Sequence, residues 1–336
     1  MKKIVIAGGT GFLGRTLINW HIKLGNQIVV LSRKQRAIRG AKVVLWDGKT
    51  LEDNWRRELD DATAVINLAG RSVNCRYTKS NRRAIWSSRI RSTHVLGKAI
   101  HQSLRPPKVW LNSSTATIYK HTYDAANDEI NGIVGATPAA KDDFSVRVAQ
   151  AWENEFNAAD TPHTRKITLR TAMVFGNESG GVYETLRKLT SLGLGGKMAH
   201  GKQYVSWIHA DDFCRSLDWL INSPDSTGIY NICSPCPIPN REMMQNMRSV
   251  LKTPFGLPAT RGMLEIGTFL MRTETELIIK SRRVIPERIL AEGFTFDHIN
   301  LKNALEDLEN SVVKRNNMFV KQRRKRTLKK QNVEII

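Results

Sequence analysis

The amino-acid sequence predicts an α/β fold: a doubly wound parallel sheet, helices on both of its faces, and a smaller substrate-covering portion toward the C-terminus. Two observations predict it. Short apolar runs alternate with stretches of helical spacing through the first half of the chain. A glycine-rich loop stands directly between the first apolar run and the first helical stretch.

Lys3–Ala7 (KIVIA), Gln27–Leu31 (QIVVL), Lys42–Trp46 (KVVLW), Ala64–Leu68 (AVINL), Val109–Ser113 (VWLNS) and Thr168–Val174 (TLRTAMV) read as buried strands. They are apolar without a polar alternation, as strands covered on both faces must be. Phe12–Leu24, Asn81–His101 and Phe144–Ala159 lie between them with helical spacing, which makes the connections right-handed crossovers. After about Gly176 the rhythm changes: Gly180-Gly181 and Gly193-Leu194-Gly195-Gly196 punctuate loops among short strands and helices. The expected organisation is therefore a nucleotide-binding unit over 1–178, a covering portion over 179–310 with some strands returning to the main sheet, and a basic tail over 311–336.

Composition narrows the class. Four cysteines, Cys75, Cys214, Cys233 and Cys236, are too few and too scattered for a disulfide framework. Cys233-Ser-Pro-Cys236 lacks the second pair that a zinc site needs, and the histidines show no helical metal pair, so no metal is expected. The apolar run after Met1-Lys2-Lys3 meets glycine too soon for a signal peptide, and no run is long enough to span a membrane; a cytoplasmic protein without membrane association is expected. The net charge is +21, of which the tail supplies +8 through nine Lys/Arg against Glu334. Such charge suits anionic partners, but by itself it is a solvated surface. The tail lacks aromatic interleaving beyond Phe319, so it reads as a soluble, disordered extension and nucleic acid is not the expected partner.

The chemistry concentrates at Gly8-Gly9-Thr10-Gly11-Phe12-Leu13-Gly14. Gly8 permits a tight turn, Gly11 lets the backbone approach a pyrophosphate, and Gly14 allows close packing of helix on strand. The freed N–H groups and the helix dipole then face an anion. That is a Rossmann dinucleotide loop. An NAD-selective site usually ends its second strand in Asp or Glu. Here Leu31-Ser32-Arg33-Lys34 stands at that position with Arg36 nearby, and a guanidinium suits a ribose 2′-phosphate. NADP(H) is the expected cofactor.

With these segments in view, the chain resembles the extended short-chain dehydrogenase/reductase superfamily over nearly all of residues 1–308. The glycine loop, Asp47, Asn67-Leu68-Ala69-Gly70, SSTATIY (Ser113–Tyr119), LRTAMVFG (Leu169–Gly176) and VSWIHADD (Val205–Asp212) carry the resemblance. The segments Ser72–Thr93 and Pro254–Leu308 are similar to one atypical branch, the "epimerase family" or nucleoside-diphosphate-sugar epimerase-like proteins. The resemblance implies that Asp47 lies near the adenine, that Leu68, Ala69 and Gly70 line the cofactor, and that Thr115 binds the substrate oxygen. It also implies a Tyr-x-x-x-Lys pair on the helix after Asp143. Aligned on Glu153, Ser145 and Ala149 occupy those two positions, so both catalytic residues are missing.

Losing the tyrosine forfeits a proton donor and losing the lysine forfeits the cation that tunes it. Tyr119 is the nearest replacement in sequence and His209 another candidate, although each reads more simply as structural. Arg76, Tyr77 and Arg89 are candidate substrate contacts, against the plainer reading of a solvated helix face. The leading expectation is an NADP(H)-dependent oxidoreductase or epimerase-like enzyme acting on a small hydroxylated or carbonyl substrate. Its rivals are a non-catalytic NADP-binding sensor or scaffold and an RNA-binding member of the superfamily.

Overall fold

The structure, a computed structural model, describes residues 1–270 and 274–313, with the side chains of 266–270 excepted. Seven strands form one parallel sheet: β1 (Lys3–Ala7), β2 (Gln27–Ser32), β3 (Ala41–Leu45), β4 (Ala64–Asn67), β5 (Val109–Thr115), β6 (Arg165–Thr171) and a strand over Gly228–Ile232. In spatial order the last of these comes first, followed by β6-β5-β4-β1-β2-β3. The order reverses between β1 and β4, and in such sheets the crevice for a ligand opens at that point, beyond the carboxyl ends of the strands.

The inner strands are mostly apolar because they are buried on both faces. Ile4 and Ile6 of β1, Ile28 and Val30 of β2, and Ile66 of β4 pack on one face with Leu17 and Ile18 of α1 (Phe12–Lys23). Val5, Ala7, Val29, Leu31 and Val65 alternate onto the other face, against Val95 and Leu96 of α2 (Lys79–His101). Phe156 of α3 (Asp143–Ala158) closes that layer, its ring edge-on to Trp110 at 4.6 Å between centroids.

One expected strand is two. The run Thr168–Val174 divides at Ala172, whose N–H still donates to Ile232 O at 3.0 Å, while Met173 N–H donates to Ser206 O at 3.2 Å. The chain thus leaves the main sheet, and β7 (Met173–Phe175) pairs with β8 (Trp207–His209) instead. Buried apolar side chains could not reveal this, since only the hydrogen-bond partner changes. Past the expected boundary at 178, Gly228–Ile232 returns to the edge of the main sheet beside β6.

A second core gathers Phe175, Tyr183, Trp207, Met243, Met244 and Met247 with Leu301 and Leu305 of a helix over residues 301–313. The remainder of the expected tail, 314–336, lies outside the described residues. No helix among the described residues is long and apolar enough to cross a membrane.

His21 of α1 is fully buried under the sheet, and its Nδ1 accepts from Asn26 Nδ2 at 3.2 Å. Burial draws its pKa down from 6.5 to about 4, against the pull of Asp218. The folded state therefore keeps this imidazole neutral, and its contribution is intact above pH 6.5. As pH falls from 6.5 toward 4 the unfolded chain takes up the proton first and that contribution is lost. Urea unfolding across this window should give a steeper loss of stability than His21→Gln, by up to about 1.4 kcal/mol per pH unit.

Candidate functional site

The carboxyl ends of β1, β4 and β5 open on one cleft of about 660 Å³. Its floor is the glycine loop. Gly8 holds φ +76°, and a Cβ there would stand 2.9 Å from the backbone of Leu68 and Ala69. Its N–H donates to Leu31 O at 3.1 Å, which brings the end of β2 to the loop. A Cβ on Gly14 would come 2.4 Å from Gly9 Cα, so only glycine lets α1 start this close to β1. Gly11 is the helix cap and contributes no side chain, and space is open beside it. Phe12, Leu13 and Gly14, whose first-turn N–H groups have no intrahelical partner, line the cleft beside Gly11, whose own N–H donates to Gly8 O at 3.2 Å. These features fit the diphosphate of a dinucleotide.

Neighbouring residues hold this floor in place. Asn67 accepts from Ala69 N–H at 3.0 Å and donates to Asn112 Oδ1 at 2.7 Å, fixing the turn that carries Leu68 and Gly70 into the cleft. Thr10 contributes its carbonyl, which accepts from Arg15 at 2.5 Å. Arg15, which sequence reasoning missed, also donates to Ser179 and lines the cleft, joining the glycine loop to the chain that follows β7. At the end of β2, Ser32 is occupied with the Lys34 backbone. The exposed Arg33 and Arg36 have no hydrogen-bond or ion-pair partner described for their side chains. Asp47 folds a turn, accepting from Lys49 N–H and Thr50 N–H, both at 2.8 Å.

Across the cleft stand Thr115, Tyr77, Arg89 and Ser145. Thr115 accepts from Thr117 N–H at 3.1 Å through its hydroxyl. Arg89 of α2 donates to the carbonyls of Arg71 and Ile85, both at 3.1 Å, and lies over the Trp152 ring at 5.0 Å. Desolvation draws it down to about 10, which leaves it cationic at neutral pH. Ser145 and Ala149 of α3 both line the cleft.

Three sequence expectations need correction. Tyr119 is 1% exposed and its hydroxyl donates to Asn231 Oδ1 at 2.9 Å. The Arg170 guanidinium covers its ring at 4.8 Å and pairs with buried Glu153 at 2.8 Å, so Tyr119 is structural and reaches no substrate. His209 caps the next helix, Ala210–Asn222, by accepting Asp211 N–H through Nδ1 at 3.1 Å, and its ring stacks on His298 at 3.8 Å. It is buried away from the cleft. That same Nδ1 bond leaves the proton on Nε2, the atom facing Asp307, so the His209–His298–Asp307 cluster is poorly prepared to ligate a metal. Arg76 pairs with Glu274 at 3.6 Å beside the cleft without lining it.

Sequence reasoning also missed the segment from Glu274 to Arg282. Glu274 accepts from Tyr77 N–H at 2.6 Å. Ser145 donates to Glu276, which is 6% exposed. Lys280, 1% exposed, forms an ion pair with wholly buried Asp142 and donates to Thr117 O at 2.6 Å. Arg282 donates to Thr117 Oγ1 at 3.0 Å. No spacing in TETELIIKSRR advertises these contacts, because each partner is more than 100 residues away.

A family model described as "NAD dependent epimerase/dehydratase family" matches residues 4–233. The chain belongs to the NAD-dependent epimerase/dehydratase family. A domain of unknown function (DUF1731) matches residues 261–308 of this epimerase/dehydratase-family protein, the part that carries Glu276 and Lys280. An epimerase family protein of Staphylococcus saprophyticus is 31% identical over 312 residues, covering 92% of this chain and 99% of its own. The human epimerase family protein SDR39U1 (isoform 2), solved with NADPH, is 26% identical with a TM-score of 0.79, covering 91% of this chain and 98% of its own. A nucleoside-diphosphate sugar epimerase from Corynebacterium glutamicum shares the fold at a TM-score of 0.70, covering 91% of this chain and 58% of its own. This epimerase-like protein is thus of the NAD(P)-binding kind.

Lys280→Met would leave the buried Asp142 carboxylate without its ammonium partner. It should cost about 3–5 kcal/mol in urea unfolding. Pairing it with Asp142→Asn should recover most of that loss, since no unpaired carboxylate would then remain at that position. A single variant as stable as wild type would show that the pair does not tie the C-terminal segment down.

Proposed function

We propose that the protein is an NADP(H)-dependent oxidoreductase or epimerase-like enzyme acting on a small hydroxylated or carbonyl compound. The observation that carries this reading is a single cleft in which an uncapped helix start faces Thr115, Tyr77 and Ser145. The first-turn amides of α1 would hold the diphosphate, and Leu68 and Gly70 would pass beneath the nicotinamide half. Arg33, with Arg36 nearby, stands beyond the end of β2 without a described side-chain partner and would meet a 2′-phosphate. Asp47 would lie toward the adenine. When bound, the cofactor supplies or removes a hydride at the substrate carbon.

The protein's own groups do the rest. Thr115 would hold the reacting oxygen at the end of β5, and Arg89 keeps positive charge beside the cleft wall. Ser179 and Gly180, joined to the glycine loop through Arg15, limit water at the mouth. NADPH in a human relative of similar length and 26% identity supports the choice of cofactor. The absence of a tyrosine at 145 and a lysine at 149 favours a second reading, a sensor that binds NADP(H) without turnover.

Titration by the fluorescence of the reduced cofactor tests the first reading. Wild type should bind NADPH, and the double substitution of Arg33 and Arg36 by alanine should weaken it about 10- to 100-fold, the loss of one or two charge-assisted hydrogen bonds. NADH affinity should change by no more than about twofold. Equal losses for both nucleotides would remove the 2′-phosphate from the account, and no binding of either would remove the nucleotide.

A further inference from the structure

The cleft lacks the phenol and amine that the superfamily places on one helix, yet a phenol stands beside the vacated position. Tyr77, from the loop before α2, holds its hydroxyl 3.4 Å from Ser145 Oγ. Ser145 Oγ in turn bonds Glu276 Oε1 in the C-terminal segment. Tyr77 and Ser145 line the cleft, whereas Glu276 sits behind them with 6% exposure. Three proton-bearing groups from three separate parts of the chain are thus in series, and their open end lies in the space that also holds Thr115.

Resting on the nucleotide reading above, we propose that Tyr77 is the catalytic proton donor, with Ser145 and Glu276 as the relay that supplies it. In the reducing direction the substrate carbonyl carbon gains a C–H bond from the hydride of a reduced nicotinamide. The C=O π pair moves onto oxygen and takes the Tyr77 proton. The Ser145 hydroxyl, which donates to Glu276 Oε1 at rest, rotates to give its proton to the phenolate oxygen, and Ser145 Oγ takes the proton of the Glu276 carboxyl. Glu276 ends as a carboxylate and is reprotonated from water. Oxidation runs the same transfers backwards.

The surroundings suit those roles. Glu276 is faced by Arg282, Lys280, Asp142 and Tyr77. Burial pushes its carboxyl above the ordinary range, outweighing the Ser145 hydrogen bond and the cations Arg282 and Lys280, while Asp142 adds to the rise. Burial pushes the Tyr77 phenol up as well, so it stays protonated at rest, and Arg89 opposes that rise. Arg89 therefore stands electrostatically where the missing lysine would. Tyr77 is held in place by Glu274 on its backbone N–H at 2.6 Å, by Arg82 donating to its carbonyl at 2.9 Å, and by Phe144 edge-on to its ring at 5.0 Å.

The first test needs neither cofactor nor substrate. Infrared difference spectra of the full-length protein, titrated with pH, should contain a protonated-carboxyl band that persists above the pH at which ordinary glutamates ionise. Glu276→Gln should delete that band, and Ser145→Ala should move it, since the hydroxyl partner is gone. A spectrum without such a band, or one that Glu276→Gln leaves unchanged, overturns the relay; burial raises Glu129 as well, so both samples carry Glu129→Gln.

The second test follows NADPH oxidation with a panel of small aldehydes and ketones. Tyr77→Phe should lose about 10²- to 10⁴-fold in kcat with NADPH affinity unchanged. Glu276→Gln should displace a limb of the pH–rate profile, which loss of packing alone would not do. Full activity of Tyr77→Phe with NADPH bound overturns this proposal and leaves the nucleotide reading standing. Failure of wild type to bind NADPH overturns both, even if the infrared band is present.

Discussion

A lysine ammonium with 1% exposure, set against a carboxylate with none, is the constraint on which the rest of this site depends. Lys280 has surrendered its water and can be stable only where Asp142 and the Thr117 carbonyl replace it. Asp142 also accepts from Thr137 N–H at 2.7 Å at the start of α3, and Thr117 follows the end of β5. One buried charge therefore fixes a C-terminal segment against the carboxyl edge of the parallel sheet. Glu276 lies one turn before Lys280, so placing the lysine also places the carboxyl behind Ser145.

This arrangement draws the cleft wall from several parts of the chain. Helix α3 presents Ser145 and Ala149, Tyr77 comes from the loop before α2, Arg89 from α2, and Leu277 from the C-terminal segment. Chemistry that one helix could have supplied is distributed over elements joined only by tertiary contact. The C-terminal domain is then part of the cleft wall, since Leu277 lines it and Glu274 and Glu276 hold groups that line it.

The legible parts of the sequence were those with local causes. Apolar runs without alternation mean burial on both faces, and β1, β2, β4 and β5 are buried in that way. A glycine loop between strand and helix has few other uses, and Gly8 and Gly14 occupy positions where a Cβ would collide with backbone. For Tyr119 the plainer, structural reading holds, because nearness along a strand end is not nearness to the cleft. Its side chain points into a buried cluster with Arg170 and Asn231. The same holds for His209: a histidine after a strand can cap the following helix, and this one does.

The sequence by itself determined the parallel sheet and the glycine loop, because each is written in residues within a few positions of one another and follows from local backbone geometry. Only the tertiary structure decided which side chains share the cleft. Tyr77, Ser145 and Glu276 are separated by up to 199 residues, and what unites them is the cost of burying Lys280 and Asp142 apart. That cost depends on three-dimensional enclosure, which no periodicity along the chain records.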